Sequence, residues 1–317
     1  MKQKWLVTTR GGRRIELRVQ RRTAKVGDET VVFGEAETQL QDTSEAVLRR
    51  LKYLDAVVLK QERYKLLEFI EAISYALGPG AIEPIKTFED AVQSIRRAYH
   101  RIGHKQGWRF LYGPKRTFSR NTRIFLIGLN PGGRHYQRGL ASVEAGNAYR
   151  GVELWHWGER QNALQSQVCL FAEELARRLH CNRDELMDEM LVSNFCPFRS
   201  PRIEEMKPKL RAQSFAYSRR LWSNIFDVVL PLAIVCIGFA PHDEFCRILE
   251  DKGFRADTRR YSAGWGVVSY KLTQLTSNDR RILLVGLPHL STFKIFGREG
   301  TNSTLVPLWR AMLRILK

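Results

Sequence analysis

The sequence predicts an α/β protein. A three-layer α/β/α domain over residues 119–317 surrounds a central, mostly parallel, four-stranded sheet, and an α+β extension occupies residues 1–118. Two observations carry this. Four short apolar, β-favouring runs, "RIFLIGL", "EMLVSNF", "AIVCIGF" and "RILLVGL", alternate with segments whose apolar residues recur at helical spacing. Strands that lack polar alternation are buried on both faces, and parallel neighbours need a crossover, usually a helix. Earlier in the chain, "KWLVTT", "RIELRVQ" and "TVVFGEAE" between residues 5 and 40 follow a shorter period and are separated by Gly-Gly and Gly-Asp. That is the pattern of a small antiparallel sheet.

The elements follow in order. From 43 to 77, Leu48, Leu51, Leu54, Val58, Leu66, Ile70 and Ile73 recur at roughly helical spacing and predict one long or two shorter helices. "GPGAIEP" breaks the pattern, and a basic helix is expected from Phe88 to about Gly103. After the strand at "RIFLIGL", the stripe Leu164, Val168, Phe171, Leu175 and Leu179 marks a helix. Phe215, Trp222, Ile225 and Phe226 mark the next, Phe245 and Leu249 a third, and Leu305, Leu308, Met312 and Leu316 the last.

The totals narrow the class. A hydrophobic fraction of 44% over 317 residues is enough for a sizeable core. No apolar run reaches the roughly 18 residues of a membrane span, and the first residues lack the apolar core of a signal peptide, so the expectation is a cytoplasmic protein. Cys169, Cys181, Cys196, Cys236 and Cys246 form no closely spaced pair, so they are read as buried thiols, with no metal and no cofactor. The net charge of +19 favours a polyanion, nucleic acid before membrane. Between Asp90 and Glu144 there is no carboxylate, while eleven Lys and Arg side chains are interleaved with Tyr99, Trp108, Phe110, Tyr112 and Phe118. Arg116, Arg120, Arg134 and Arg138 in that run are candidate phosphate contacts.

In a parallel sheet of this kind, ligands bind at the carboxyl ends of the strands. Those ends read Gly128-Leu129-Asn130-Pro131-Gly132-Gly133, Ser193-Asn194-Phe195-Cys196-Pro197, Gly238-Phe239-Ala240-Pro241-His242 and Gly286-Leu287-Pro288-His289-Leu290-Ser291. Asn is common as a turn former and a lone His is common as a satisfied polar residue. Here they stand together beside a long basic run. "GLNPG" at 128–132, "NFCPF" from Asn194 and "HLS" at 289–291 resemble the motifs of the uracil-DNA glycosylase superfamily, especially its single-strand-selective and mismatch-specific branches. The resemblance covers residues 119–317. It departs at Leu290, where the family usually has proline.

The resemblance implies a monofunctional DNA glycosylase that flips a pyrimidine out of DNA, hydrolyses its N-glycosidic bond and leaves an abasic site. It implies that Asn130 orients the attacking water and that His289 donates to the pyrimidine O2 as charge develops there. Asn194 reads the base edge, and Tyr149 is either the stacking platform or ordinary packing. Gly132 and Gly133 leave the C5 side of the base unguarded. Phe293, Ile295 or Phe296 is a candidate wedge into the duplex, with core packing as the alternative for the last two. Ser291, Lys294 and Arg298 are candidate DNA contacts. The target is uracil or mismatched thymine, as in repair, or a bulky C5-modified cytosine such as glucosylated hydroxymethylcytosine, as in defence against phage. The expected partner is DNA, single- or double-stranded, with the protein a monomer. A nucleic-acid-binding protein without catalysis is the reading of another class. Absence of a GxGxxG or P-loop lysine pattern argues against a nucleotide-processing enzyme.

Overall fold

The structure, a computed structural model, describes the backbone of residues 3–8, 14–20, 23–26 and 29–32, and the full residues 85–133, 135–151 and 162–317. The helical segment predicted over 43–77, and Arg134, lie outside the described residues. The chain divides into two compact units, Met1–Glu83 and Pro84–Lys317. In the first, β1 (Gln3–Thr8), β2 (Arg14–Gln20), β3 (Thr23–Val26) and β4 (Glu29–Val32) form an antiparallel sheet in sequence order. This agrees with the short-period reading of that stretch.

The second unit is α/β, built on a six-stranded mixed sheet. Its strands are β5 (Ile124–Gly128), β6 (Leu191–Asn194), β7 (Ala233–Ile237), β8 (Arg255–Ser262), β9 (Ser269–Thr276) and β10 (Arg281–Leu287), in the order β6-β5-β7-β10-β9-β8. The first four in that order are parallel, whereas β9 and β8 add antiparallel at the far edge. The expected sheet of four strands is therefore two strands too small. The missing pair is polar where it faces solvent: β8 is exposed along almost its whole length, so it carries no apolar run to mark it.

Side-chain alternation sends the two faces of the sheet into two helical layers. Ile124, Leu126, Val192, Val235, Val285 and Leu287 pack with α2 (Ala163–Leu179), α3 (Arg183–Glu189) and α6 (Val306–Leu316) in one cluster. On the other face Phe125 meets Trp222 and Phe226 of α4 (Pro208–Val228), and both rings touch Phe245 of α5 (Phe239–Asp251). Local chemistry sets the helix limits. Asn162 and Asn182 cap α2 and α3 through their side chains, and Pro208 opens α4 at a position where no N–H is missed.

α1 (Phe88–Ile102) begins with a reciprocal capping box between Thr87 and Asp90 and ends at Gly103. Its apolar face, Ala91, Val92, Ile95 and Ala98, is buried, and it docks on α4 through Ser94 to Tyr217 and through the following His104 to Ser214. Residues 108–112 then run beside β6, with Tyr112 N–H donating to Val192 O at 2.8 Å and Arg109 N–H to Pro197 O at 2.9 Å. These contacts correct the expected boundary at 118/119. Residues 85–118 carry an amphipathic helix and an edge segment that complete the α/β unit, and the division falls at 83/84. The basic excess follows it: residues 1–83 hold 15 basic and 12 acidic side chains, residues 84–317 hold 37 and 21.

Candidate functional site

Register aligns the strand ends. Gly128 of β5 pairs with Asn194 of β6, and Ile237 of β7 with Leu287 of β10, so the Asn130 turn, Asn194 and the His289 loop all leave the same edge of the sheet. β7 separates β5 from β10. At about 4.8 Å per strand, the Asn130 turn and the His289 loop start about 10 Å apart, the width of a nucleoside.

Asn130 is half-buried. Its amide nitrogen donates to Pro131 O and Ser200 O, both at 3.1 Å, and to Ser200 Oγ at 3.2 Å. With the donor side held against Ser200, the carbonyl oxygen is left to accept a hydrogen bond from outside the loop. Asn194 is buried, and its side chain lies across β5: a Cβ at Gly128 would collide with Asn194 Oδ1. Glycine at 128 is therefore required by the close approach of the amide, not by backbone twist. The Tyr112 hydroxyl is hydrogen-bonded to the Asn194 side chain, and burial raises the Tyr112 pKa above its ordinary value. The phenol therefore stays protonated beside the amide.

Residues ahead of 119 build this wall, which the sequence reading did not anticipate. Arg109 sits with its guanidinium 3.9 Å from the centre of the Tyr112 ring, and Tyr149 stacks on Tyr112 with centroids 5.8 Å apart. Tyr149 is 8% exposed and belongs to the core cluster, so of the two readings offered for it, packing is what the geometry displays. No protein-family model matches the chain, and no curated protein matches it in sequence.

His289 leaves β10 through Pro288 and is exposed on one side. Its Nδ1 is 2.7 Å from Ser291 Oγ, and the loop is closed by Thr292 and Phe293 N–H groups donating to His289 O at 3.0 and 2.9 Å. Desolvation holds the His289 pKa below the ordinary histidine value, so the ring is neutral at pH 7. A serine hydroxyl can either donate to Nδ1 or accept from it, so the contact serves both tautomers of the neutral ring; in the tautomer with Ser291 as donor, Nε2–H points away from Ser291 as a hydrogen-bond donor. Ser291, a candidate DNA contact, is exposed and touches His289. Leu290 is buried in the core cluster.

The wedge candidates separate. Ile295 and Phe296 are core residues, 0% and 4% exposed, because Phe296 N–H and C=O are both tied to the Gln167 side chain. Phe293 remains half-exposed and meets Trp265 edge-on at 5.8 Å. Trp265 belongs to the 263–268 tip joining β8 to β9, and Arg298 lies 4.3 Å over its ring. Val267 at that tip is 100% exposed. Since Lys271 pairs with Gly286, the tip projects from the same edge as the His289 loop. Lys294 and Arg298 are exposed beside it.

Gly132 and Gly133 are exposed, and a Cβ on Gly132 would meet nothing within 4 Å. Gly133 has φ 117°, which favours glycine. Arg138 is exposed near this turn in the chain. Arg116 and Arg120 are not brought to the cleft. They precede β5 and so lie toward its amino end, where Arg116 lines a cavity of about 300 Å³ with Arg123, Met190 and Leu316. The acid-free run is therefore divided: Arg116 and Arg120 flank the amino end of β5, whereas Arg109, earlier in the same run, stands beside Tyr112 at the other end. The third strand end also differs from expectation. Phe239-Ala240-Pro241-His242 is the first turn of α5, and His242 is buried, bonded to Asp243 and Thr273. Of the five cysteines only Cys196 and Cys236 are buried; Cys181 is exposed.

Proposed function

We propose that the chain is a monofunctional DNA glycosylase that extrudes a pyrimidine nucleotide and hydrolyses its N-glycosidic bond. The carrying observation is that one sheet edge presents a clamped amide at Asn130 and a neutral imidazole at His289, spaced by one intervening strand. Cleavage makes the sugar oxocarbenium-like and the departing pyrimidine anionic. A water that donates a hydrogen bond to the Asn130 carbonyl oxygen adds to C1′ as the C1′–N1 bond breaks, and the proton it sheds passes through solvent to the departing pyrimidine anion. An amide is no general base, so its contribution is positioning. His289 Nε2–H meets the charge that grows on O2, and a fixed donor aimed at developing charge is worth roughly 3 kcal/mol. Asn194, hydrogen-bonded to Tyr112, is the group we assign to reading the base edge. The open space over Gly132 favours a pyrimidine carrying a bulky C5 group, glucosylated hydroxymethylcytosine among them, over strict uracil selectivity. The exposed Val267 tip with Phe293, Lys294 and Arg298 suits a protein that fills the gap left by a flipped base.

The test is mass spectrometry of free base released from DNAs carrying uracil, mismatched thymine, hydroxymethylcytosine or its glucosylated form. Asn130→Ala and His289→Ala should each slow release by about 10²- to 10³-fold while DNA affinity stays within about twofold. Tight binding with no base released from any substrate would instead favour a non-catalytic nucleic-acid-binding protein.

A further inference from the structure

Arg199 follows β6 by five residues. Its backbone N–H donates to Gly107 O at 3.0 Å, and the next residue, Ser200, donates to Pro131 O at 3.2 Å. The Cα is thereby fixed between two loops. Its guanidinium lies against the glycine turn: a Cβ on Gly133 would stand 3.1 Å from Arg199 Nη2. Among the described residues this guanidinium makes no hydrogen bond and no ion pair, and its Nε is shut away from solvent. The charge of Arg109 repels it, and no carboxylate is among the groups acting on it. Burial, with that repulsion, depresses its pKa.

Arg199 is half-buried, and drawing a guanidinium partly out of water without a counter-ion costs stability. A buried donor left open in this way calls for something that the chain itself does not supply. Two further donors stand near it: Gly132 and Gly133 are exposed residues, and their N–H groups donate to nothing among the described residues. A planar guanidinium fork and adjacent backbone N–H groups match a tetrahedral oxyanion in shape as well as charge.

We infer that Arg199 and the Gly132–Gly133 turn form an oxyanion site that takes a phosphate group. The phosphate has two candidate sources, a phosphodiester of a strand lying in the cleft or a free phosphate. Assigning it to DNA rests on the proposed function; the oxyanion site does not. On the DNA strand, the bound phosphodiester flanks the extruded nucleotide, since Gly133 is three residues from Asn130.

The experiment uses the full chain and its Arg199→Gln and Arg199→Lys variants. In one arm, affinity is measured for single-stranded oligonucleotides bearing one neutral methylphosphonate, moved linkage by linkage past the target base. One linkage should cost the parent protein about tenfold to a hundredfold. That cost should vanish in Arg199→Gln and shrink in Arg199→Lys, while the other linkages behave alike in all three. In the second arm, thermal melting is followed in inorganic phosphate against chloride at equal ionic strength. A phosphate-specific rise present in the parent and absent in Arg199→Gln, without any linkage effect, keeps the oxyanion site and assigns it to free phosphate. Losing an unpaired, repelled charge should leave the melting temperature equal or higher. A variant that unfolds, or one in which neither arm separates it from the parent, overturns the inference. A linkage effect in a protein that releases no base keeps the site and removes the glycosylase reading.

Discussion

Gly128 and Asn194 illustrate how much of the cleft is decided by single atoms. The Asn194 amide crosses β5 where only hydrogen stands on the Cα of residue 128. Gly128→Ala should leave the fold intact, since β5 tolerates a methyl in its backbone geometry, but it must push the amide away from its place beside Tyr112. Base release should fall by at least about tenfold with a small change in melting temperature, a displacement cost of about 1–3 kcal/mol. Kinetics and a thermal melt on one preparation check it, and unchanged release would detach Asn194 from base recognition. Asn130, Asn194 and His289 were legible because each ends an apolar run and the strand ends of a parallel sheet share an edge. Arg109, Tyr112 and Arg199 were not. Nothing in a basic or aromatic stretch says which guanidinium turns inward, since that is settled by backbone bonds to residues more than eighty positions away, such as Arg109 to Pro197.

Two elements have consequences that can be measured. The first is the β8–β9 tip. A side chain inserted into a stack is needed only where there is a stack, so Val267→Asp should reduce release from duplex DNA by about tenfold or more and leave release from single strands unchanged. Parallel assays on the two substrates decide it; equal effects on both would mean that the tip serves the fold. The second is the docking of α1 on α4. His104 lies between Ser214, at 2.7 Å, and the ring of Phe198, with centroids 4.2 Å apart. Burial lowers its pKa from 6.5 to about 4. Between those values the unfolded chain binds a proton that the folded chain refuses, so stability is full above pH 6.5 and is lost as pH falls toward 4. The loss is about 3 kcal/mol. Denaturant titrations at pH 7 and pH 4.5 should show it, and His104→Gln should flatten the difference. The four parallel strands and the helices between them could be read from periodicity because both faces of the sheet are covered. β8 escaped notice because it faces water, and residues 108–112 because they pair through isolated bridges and form no strand of their own.

At the scale of the whole molecule, the division at 83/84 predicts where the chain can be cut. Residues 84–317 retain α1, the edge segment and both helical layers, and should fold with cooperative melting close to that of the full chain. Residues 119–317 lose the buried faces of Trp108, Phe110, Leu111 and Ile95 and should be recovered aggregated or unfolded. Expression of the two fragments with circular dichroism separates these outcomes. The same edge segment gives the sheet two unlike rims. Along β6 the backbone is occupied by residues 108–112. Among the described residues nothing pairs with the outer edge of β8, an eight-residue strand on which Arg255, Asp257, Arg259 and Arg260 are exposed. An uncovered rim of that length is a template for another copy, and copies adding rim to rim would extend into fibres. Stacking one β8 on another brings rows of guanidiniums together, so polymerisation is held off by repulsion on this side and by shielding on the other. Repulsion weakens with ionic strength, since the Debye length shrinks to about 3 Å in molar salt. Concentrated brine therefore removes the barrier at one rim and leaves the other untouched.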